Sequence, residues 1–319
     1  MLRRLLCSSA VVASVLATVF ISSEARAGKY DIDLAPLATV EADGTITQDN
    51  AAFRSLASEV GVLMAPKPVD PADSLGLSGF AVSADVSLNT LSGGEAYWQD
   101  TTKSPNNLAP TLQVMGRKGL WPGIEVGAGA THLFDSRMWT IAGYGKVSLH
   151  EGFHHLPIPS IALRGMFSRV LGAKDIDLTT ISAGASISHV FGVGSTFNIT
   201  PYVGYDALMV FARTGVLDAT PGHDEFSDGP LACDNGDPDC TVQGEFVFRK
   251  QEVIVRHRPY VGMRFIFSVL RIGIEAMFVP PGGSSADVPL PSSSGGGTET
   301  VSDGSGFQQQ YTLSFGLDF

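Results

Sequence analysis

After its first 27 residues this chain of 319 has no uninterrupted apolar run of the roughly 18–20 residues that a membrane-spanning helix requires. Transmembrane helices are therefore excluded beyond that point. Basic residues are also scarce, 21 against 32 acids, for a formal charge of −11. So acidic a chain has no electrostatic reason to seek phosphate backbones, and nucleic acid is excluded as an expected partner. Cysteine is scarce as well, three in all, which rules out a disulfide-dense scaffold. Yet the mean hydropathy is slightly positive, +0.16. The apolar residues must follow some pattern other than long runs.

The first 27 residues carry the features of a secretory leader: Arg3 and Arg4, an apolar stretch from Ala10 to Ile21, and the small-x-small site Ala25-Arg26-Ala27. Cleavage there would remove Cys7 and take the formal charge from −11 to −13, through loss of Arg3, Arg4, Arg26 and Glu24. Cys233 and Cys240 would then be the remaining thiols, delivered to an oxidising compartment, where one local disulfide is the expected state.

What the chain has in abundance is alternation with period two. A strand between lipid and a polar lumen must alternate, because successive side chains point to opposite faces. Phe80, Val82, Ala84, Val86 and Leu88 oppose Ser83, Asp85 and Ser87. The same pattern recurs at 124–131, 139–149, 160–168, 181–188, 199–207, 253–265 and 270–278, with a weaker segment around Leu112 and Val114. It ends in Tyr311, Leu313, Phe315, Leu317 and Phe319 against Gln310, Thr312, Ser314, Gly316 and Asp318. That makes ten strands, within a range of 8–12. The polar face includes Lys, Arg, Asp and Glu, as a lumen would. Three long connections share one parity: Asn89–Ala109, about Phe211–Lys250 and Val279–Gly306. Opposite them, tight turns are expected around Lys118-Gly119, Gly192–Gly194 and Ser268-Val269.

An apolar final strand ending on phenylalanine resembles the C-terminal strand of bacterial outer-membrane β-barrels. The resemblance is one of architecture and designates no particular member. It implies an all-β, antiparallel up-and-down transmembrane barrel over 77–319, placed in the outer membrane. Its partners would be outer-membrane lipid and the barrel-assembly machinery, which would read Tyr311, Leu313, Phe315, Leu317 and Phe319. Trp121, Phe267 and Phe319 at one end, and Trp139 at the other, fit interfacial girdles.

Residues 28–76 form a separate N-terminal extension, periplasmic or lodged as a plug. Phe53, Leu56, Ala57, Val60 and Leu63 have helical spacing, Asp49 is a candidate cap, and Pro66, Pro68 and Pro71 end the helix.

The expected lumen charges are Asp85, Glu125, Lys146, Arg164, Asp206, Arg256, Arg258, Arg264 and Glu275, with Arg117, Glu252, Arg271 and Asp318 beside them. Their balance points to an ion-paired network, the rival being a weak anion pathway. No cofactor is indicated. Asp234, Asp237 and Asp239, between the two cysteines, could hold Ca²⁺, but without the full spacing of a calcium loop they read more simply as a solvated acidic loop. His150, His154 and His155 lack further zinc ligands except Glu151. No catalytic residues are assigned. A surface hydrolase comparable to the omptin proteases, the outer-membrane phospholipase or the lipid A deacylases would have to use His223 beside Asp224, and no motif of those families is present. The expected function is structural or binding through the outer loops, or limited passage of small solutes. An alternative is a hydrophobic-ligand channel resembling the long-chain fatty-acid transporters, which have more strands. The bound or transported ligand is not legible.

Overall fold

The computed structural model describes residues 28–41, 46–151, 158–193, 197–220, 244–289 and 297–319. Ten long antiparallel strands close on themselves: β1 (Phe80–Thr90), β2 (Leu108–Trp121), β3 (Ile124–Leu133), β4 (Trp139–His150), β5 (Ser160–Leu171), β6 (Ile176–Ser188), β7 (Phe197–Thr214), β8 (Ile254–Phe267), β9 (Leu270–Val279) and β10 (Gln308–Asp318). Each pairs with its sequence neighbours, and β10 closes the circle on β1 through Leu313↔Val86 and Phe315↔Ala84. Closure leaves no sheet edge, which a strand crossing lipid requires.

The dyad pattern sorts the faces. On β1 Val82, Val86 and Leu88 are exposed, while Ser83, Asp85 and Ser87 are buried. On β10 Tyr311, Leu313, Phe315 and Leu317 are exposed, with Thr312 and Ser314 buried. In water this arrangement would be inside out. It is stable only where lipid covers the apolar wall.

One end of the barrel carries the strand termini Phe80 and Phe319, whose backbones bond each other, and the tight turns at 122–123 and 268–269. By the rule of short inner turns and long outer loops this is the periplasmic end. The described residues of the long connections, 91–107, 215–220, 244–253, 280–289 and 297–307, lie at the opposite, outer end. The turn expected at Lys118-Gly119 falls later: β2 continues to Trp121, and Gly123, at φ +78°, takes the left-handed backbone that the reversal needs.

The N-terminal extension does not sit at the periplasmic end. Tyr30 N–H donates to the Asp135 carbonyl at 3.0 Å, its hydroxyl donates to the Leu108 carbonyl at 2.7 Å, and Leu34 N–H donates to the Asp175 carboxylate at 3.2 Å. Asp135 and Asp175 lie in outer connections, so the start of the described chain caps the outer mouth. A short ribbon, 38–40 with 46–48, leads into helix α1 (Asn50–Met64), capped as expected by the Asp49 carboxylate on Ala52 N–H. The helix descends inside the barrel. Every residue from Phe53 to Met64 is buried, Arg54, Ser58 and Glu59 included. Gly61 allows the close approach, since a β-carbon there would meet the Val210 methyls at 2.6 Å. Extended chain 65–75 then runs down the lumen and leaves at the periplasmic mouth before β1.

Candidate functional site

The occupied lumen is where this chain concentrates its polar chemistry, in three tiers. In the outer tier, Glu59 of α1 is fully buried and accepts four hydrogen bonds. The donors are Trp98 Nε1 (2.7 Å), Tyr97 Oη (3.0 Å), Ser92 N–H (3.1 Å) and Gly306 N–H (3.0 Å). Tyr97 and Trp98 stand on a single-turn helix, α2 (Ala96–Gln99), in the first outer loop. Burial pushes the Tyr97 phenol well above its ordinary range, and the adjacent Glu59 charge adds to the effect. Arg54 donates to the carbonyls of Ser284 (3.3 Å) and Glu252 (3.0 Å), and Arg256 to Ser58 Oγ (2.7 Å) and the Pro280 carbonyl (2.8 Å). The helix is thereby tied to Ser92, Tyr97 and Trp98, to Glu252, and to Ser284 and Gly306 in the three long outer connections.

In the middle tier, Arg164 on β5 grips Asp206 on β7 with two hydrogen bonds of 2.9 and 2.8 Å, and Arg258 on β8 approaches the same carboxylate at 3.3 Å. The Arg164 guanidinium lies 4.1 Å from the Tyr260 ring centroid. Glu275 accepts from Tyr202 Oη at 3.0 Å.

In the periplasmic tier the extended chain supplies the missing anions. Asp70 forms ion pairs with Arg117 and Lys146 and accepts from Tyr144 Oη at 2.9 Å, with Arg271 at 3.6 Å. Glu125 joins the cluster through Arg117 (3.3 Å) and Lys146 (3.2 Å). Asp73 pairs with Arg264. Backbone contacts complete the seating: Gln113 brackets Lys67, accepting from its N–H at 3.0 Å and donating to its carbonyl at 2.6 Å, and Ser148 Oγ donates to the Ala72 carbonyl at 2.7 Å.

All nine expected lumen charges point inward and are buried. Their pairing differs from one made within the wall alone. Arg264 pairs with Asp73 of the inserted chain, Arg256 is met by hydroxyls and loop carbonyls, and Asp85 accepts from Ser83 Oγ (3.2 Å) and Gln113 Nε2 (3.0 Å). Glu252 is not a lumen group: it precedes β8 and is exposed at the rim. Sequence reasoning missed Glu59, Asp70 and Asp73, whose only signal was charge inside a segment of no clear strand period. Cys233, Cys240, Asp234, Asp237, Asp239, His223 and Asp224 lie outside the described residues, as do His154, His155 and the leader. Among the described residues no group of three metal-ligating side chains converges.

No protein-family description and no curated protein matches the chain. Solved structures similar to it include the outer-membrane protease OmpT of Escherichia coli, at 9% identity over 76% of this chain and 96% of that one, with a TM-score of 0.34. The transport unit of the autotransporter AIDA-I from Escherichia coli is another, at 11% identity over 85% and 98%, TM-score 0.34. Neisserial surface protein A is a third, at 10% over 75% and 95%, TM-score 0.26. At these identities and TM-scores the likenesses carry no argument about this chain. What decides the matter is the chain's own geometry: a closed ring of ten strands, apolar outside, charged inside, with short turns at one end and long loops at the other. The chain is an outer-membrane β-barrel. Its lumen is filled by its own N-terminal segment.

Proposed function

We propose that this barrel is a closed anchor whose working surface is its outer cap, built from residues 28–41 and 46–48 and from the described residues of the three long outer connections. The observation that carries this is the seating of residues 50–73 through the lumen, charged at both ends of the path and bonded to the wall along it, by Arg256 at Ser58, by Gln310 at the Val62 carbonyl (3.0 Å) and by Arg117 and Lys146 at Asp70. A ten-stranded barrel encloses little space beyond its side chains. Helix α1 and the extended chain take up that space, so solute passage would require their displacement. Such displacement would strand Arg117, Lys146, Arg264 and Arg271 in a confined lumen, and uncompensated buried charge is costly. Binding through the cap is the reading that uses the long loops, with the lumen network acting as the fixed mount.

Planar-bilayer recording tests it. The purified protein should insert without steady conductance, and a variant lacking residues 49–73, folded by the criterion of heat-modifiable gel migration, should conduct. Steady channels from the intact protein would overturn the closed-anchor reading.

A further inference from the structure

The barrel wall is incomplete at one place on the outer rim. β7 and β8 pair up to Val210↔Ile254, but β7 runs on to Thr214 while the chain entering β8 turns away. It turns because residues 248–251 are held by the inserted helix: Arg249 N–H donates to Asn50 Oδ1 (3.3 Å), Gln251 Nε2 donates to the Asn50 carbonyl (2.7 Å), and Phe248 stacks on Phe53 at 4.6 Å. The gap is a cleft of about 650 Å³ lined by Phe211, Arg213, Lys250, Gln251, Glu252 and Val253. A second space of about 310 Å³ shares Arg213 and Lys250 and reaches in to Phe53 and Arg249.

The chemistry of the cleft is that of an amphiphile site. Phe211 and Val253 are exposed on the outward face, in line with the lipid-facing Val255. Above them stand Arg213, Arg249 and Lys250 against one carboxylate, Glu252. Asp177, opposite Arg213 across β6, is already engaged by Arg169 at 2.8 Å. Among the described residues Arg213 and Lys250 form no ion pair, and the buried Arg249 Nε has no hydrogen-bond partner. Two guanidinium groups and an ammonium fit a phosphate, which accepts several charge-assisted hydrogen bonds at once. The apolar wall below them fits acyl chains.

We propose that this cleft binds an acyl-chain lipid of the outer leaflet whose headgroup is a net-anionic phosphomonoester, with that phosphate on Arg213, Arg249 and Lys250 and a chain lying along Phe211 and Val253. The site is independent of whether the lumen conducts.

The test is native mass spectrometry of the full protein released from detergent with dimyristoyl phosphatidic acid or dimyristoyl phosphatidylcholine, and with inorganic phosphate or myristate in separate arms. Retention of the phosphatidic acid should exceed that of the choline lipid about tenfold, and R213A/K250A should abolish the difference. K118A, which removes a cation at the opposite, periplasmic mouth, should leave it intact. Heat-modifiable migration verifies that each variant is folded, and R213Q and K250Q alone should each lower the ratio if the double variant does not assemble. Equal retention of the two lipids, undiminished preference in R213A/K250A, or displacement by inorganic phosphate or myristate at matched concentration would each overturn the proposal.

Discussion

Glu59, in the middle of the inserted helix, accepts a 2.7 Å hydrogen bond from the indole of Trp98 in the first outer loop, and both side chains are fully buried. Three further donors meet the same carboxylate. Replacing it leaves those donors without an acceptor, at a cost of about 1–3 kcal/mol for each buried group that finds no substitute. Glu59→Ala should therefore loosen the outer cap by about 3 kcal/mol and Glu59→Gln by less. Amide hydrogen exchange at residues 91–100 and 303–306 would register this as lost protection, with the strands unaffected.

Tyr97 adds a pH dependence to the same contact. Its phenol titrates above the ordinary tyrosine range because burial and Glu59 both disfavour the anion. For a group whose folded-state value is raised, the stabilisation is complete below the unfolded value, about 10, and is lost as the pH climbs from there through the folded value. Protease resistance of the first loop should therefore stay flat from neutrality to about pH 10 and fall above it. Tyr97→Phe should lower the plateau and flatten that alkaline fall. An unchanged fall in the variant would assign it to another group.

Asp70 is the hinge of the periplasmic tier, meeting Arg117, Lys146, Arg271 and Tyr144. Removing one partner of a buried charge cluster costs about 3–5 kcal/mol, because the others remain buried. Asp70→Ala should lower the urea midpoint of the refolded protein and produce intermittent channel openings in bilayers, with Asp70→Asn intermediate. Silence of Asp70→Ala together with an unchanged midpoint would show that the cluster does not hold the inserted chain.

The ten strands were legible because alternation is a local property: each side chain's neighbours at i±2 reveal its face. Helix α1 was legible for the same reason, at a different period. Its surroundings were not. The amphipathic spacing of Phe53, Leu56 and Val60 implies a wet opposite face, and here Arg54, Ser58 and Glu59 on that face meet a polar lumen and loops instead of water. The stretch 65–73 was less legible still. It has no period, and its partners Gln113, Lys146 and Arg271 lie between 46 and 202 positions away in sequence. The direction of insertion, from the outer mouth downward, depends on contacts such as Leu34 with Asp175, which no local pattern announces.

That direction makes a sharp prediction about topology. Thr39, on the short ribbon above the barrel, and Leu77, 64% exposed just before β1, stand at opposite ends of the lumen although only 38 positions separate them. In a parent carrying Cys233→Ser and Cys240→Ser, Thr39→Cys should react with a membrane-impermeant maleimide on intact cells. Leu77→Cys should react only after the outer membrane is permeabilised. A helix hanging beneath the barrel would leave both thiols on the periplasmic side and both protected in intact cells. A segment threaded through the lumen separates them, because α1 spans about 22 Å at 1.5 Å per residue and the extended chain below it covers more than the rest of the bilayer thickness. Labelling of Leu77→Cys alone on intact cells would invert the whole barrel and would contradict the loop-length rule that orients it.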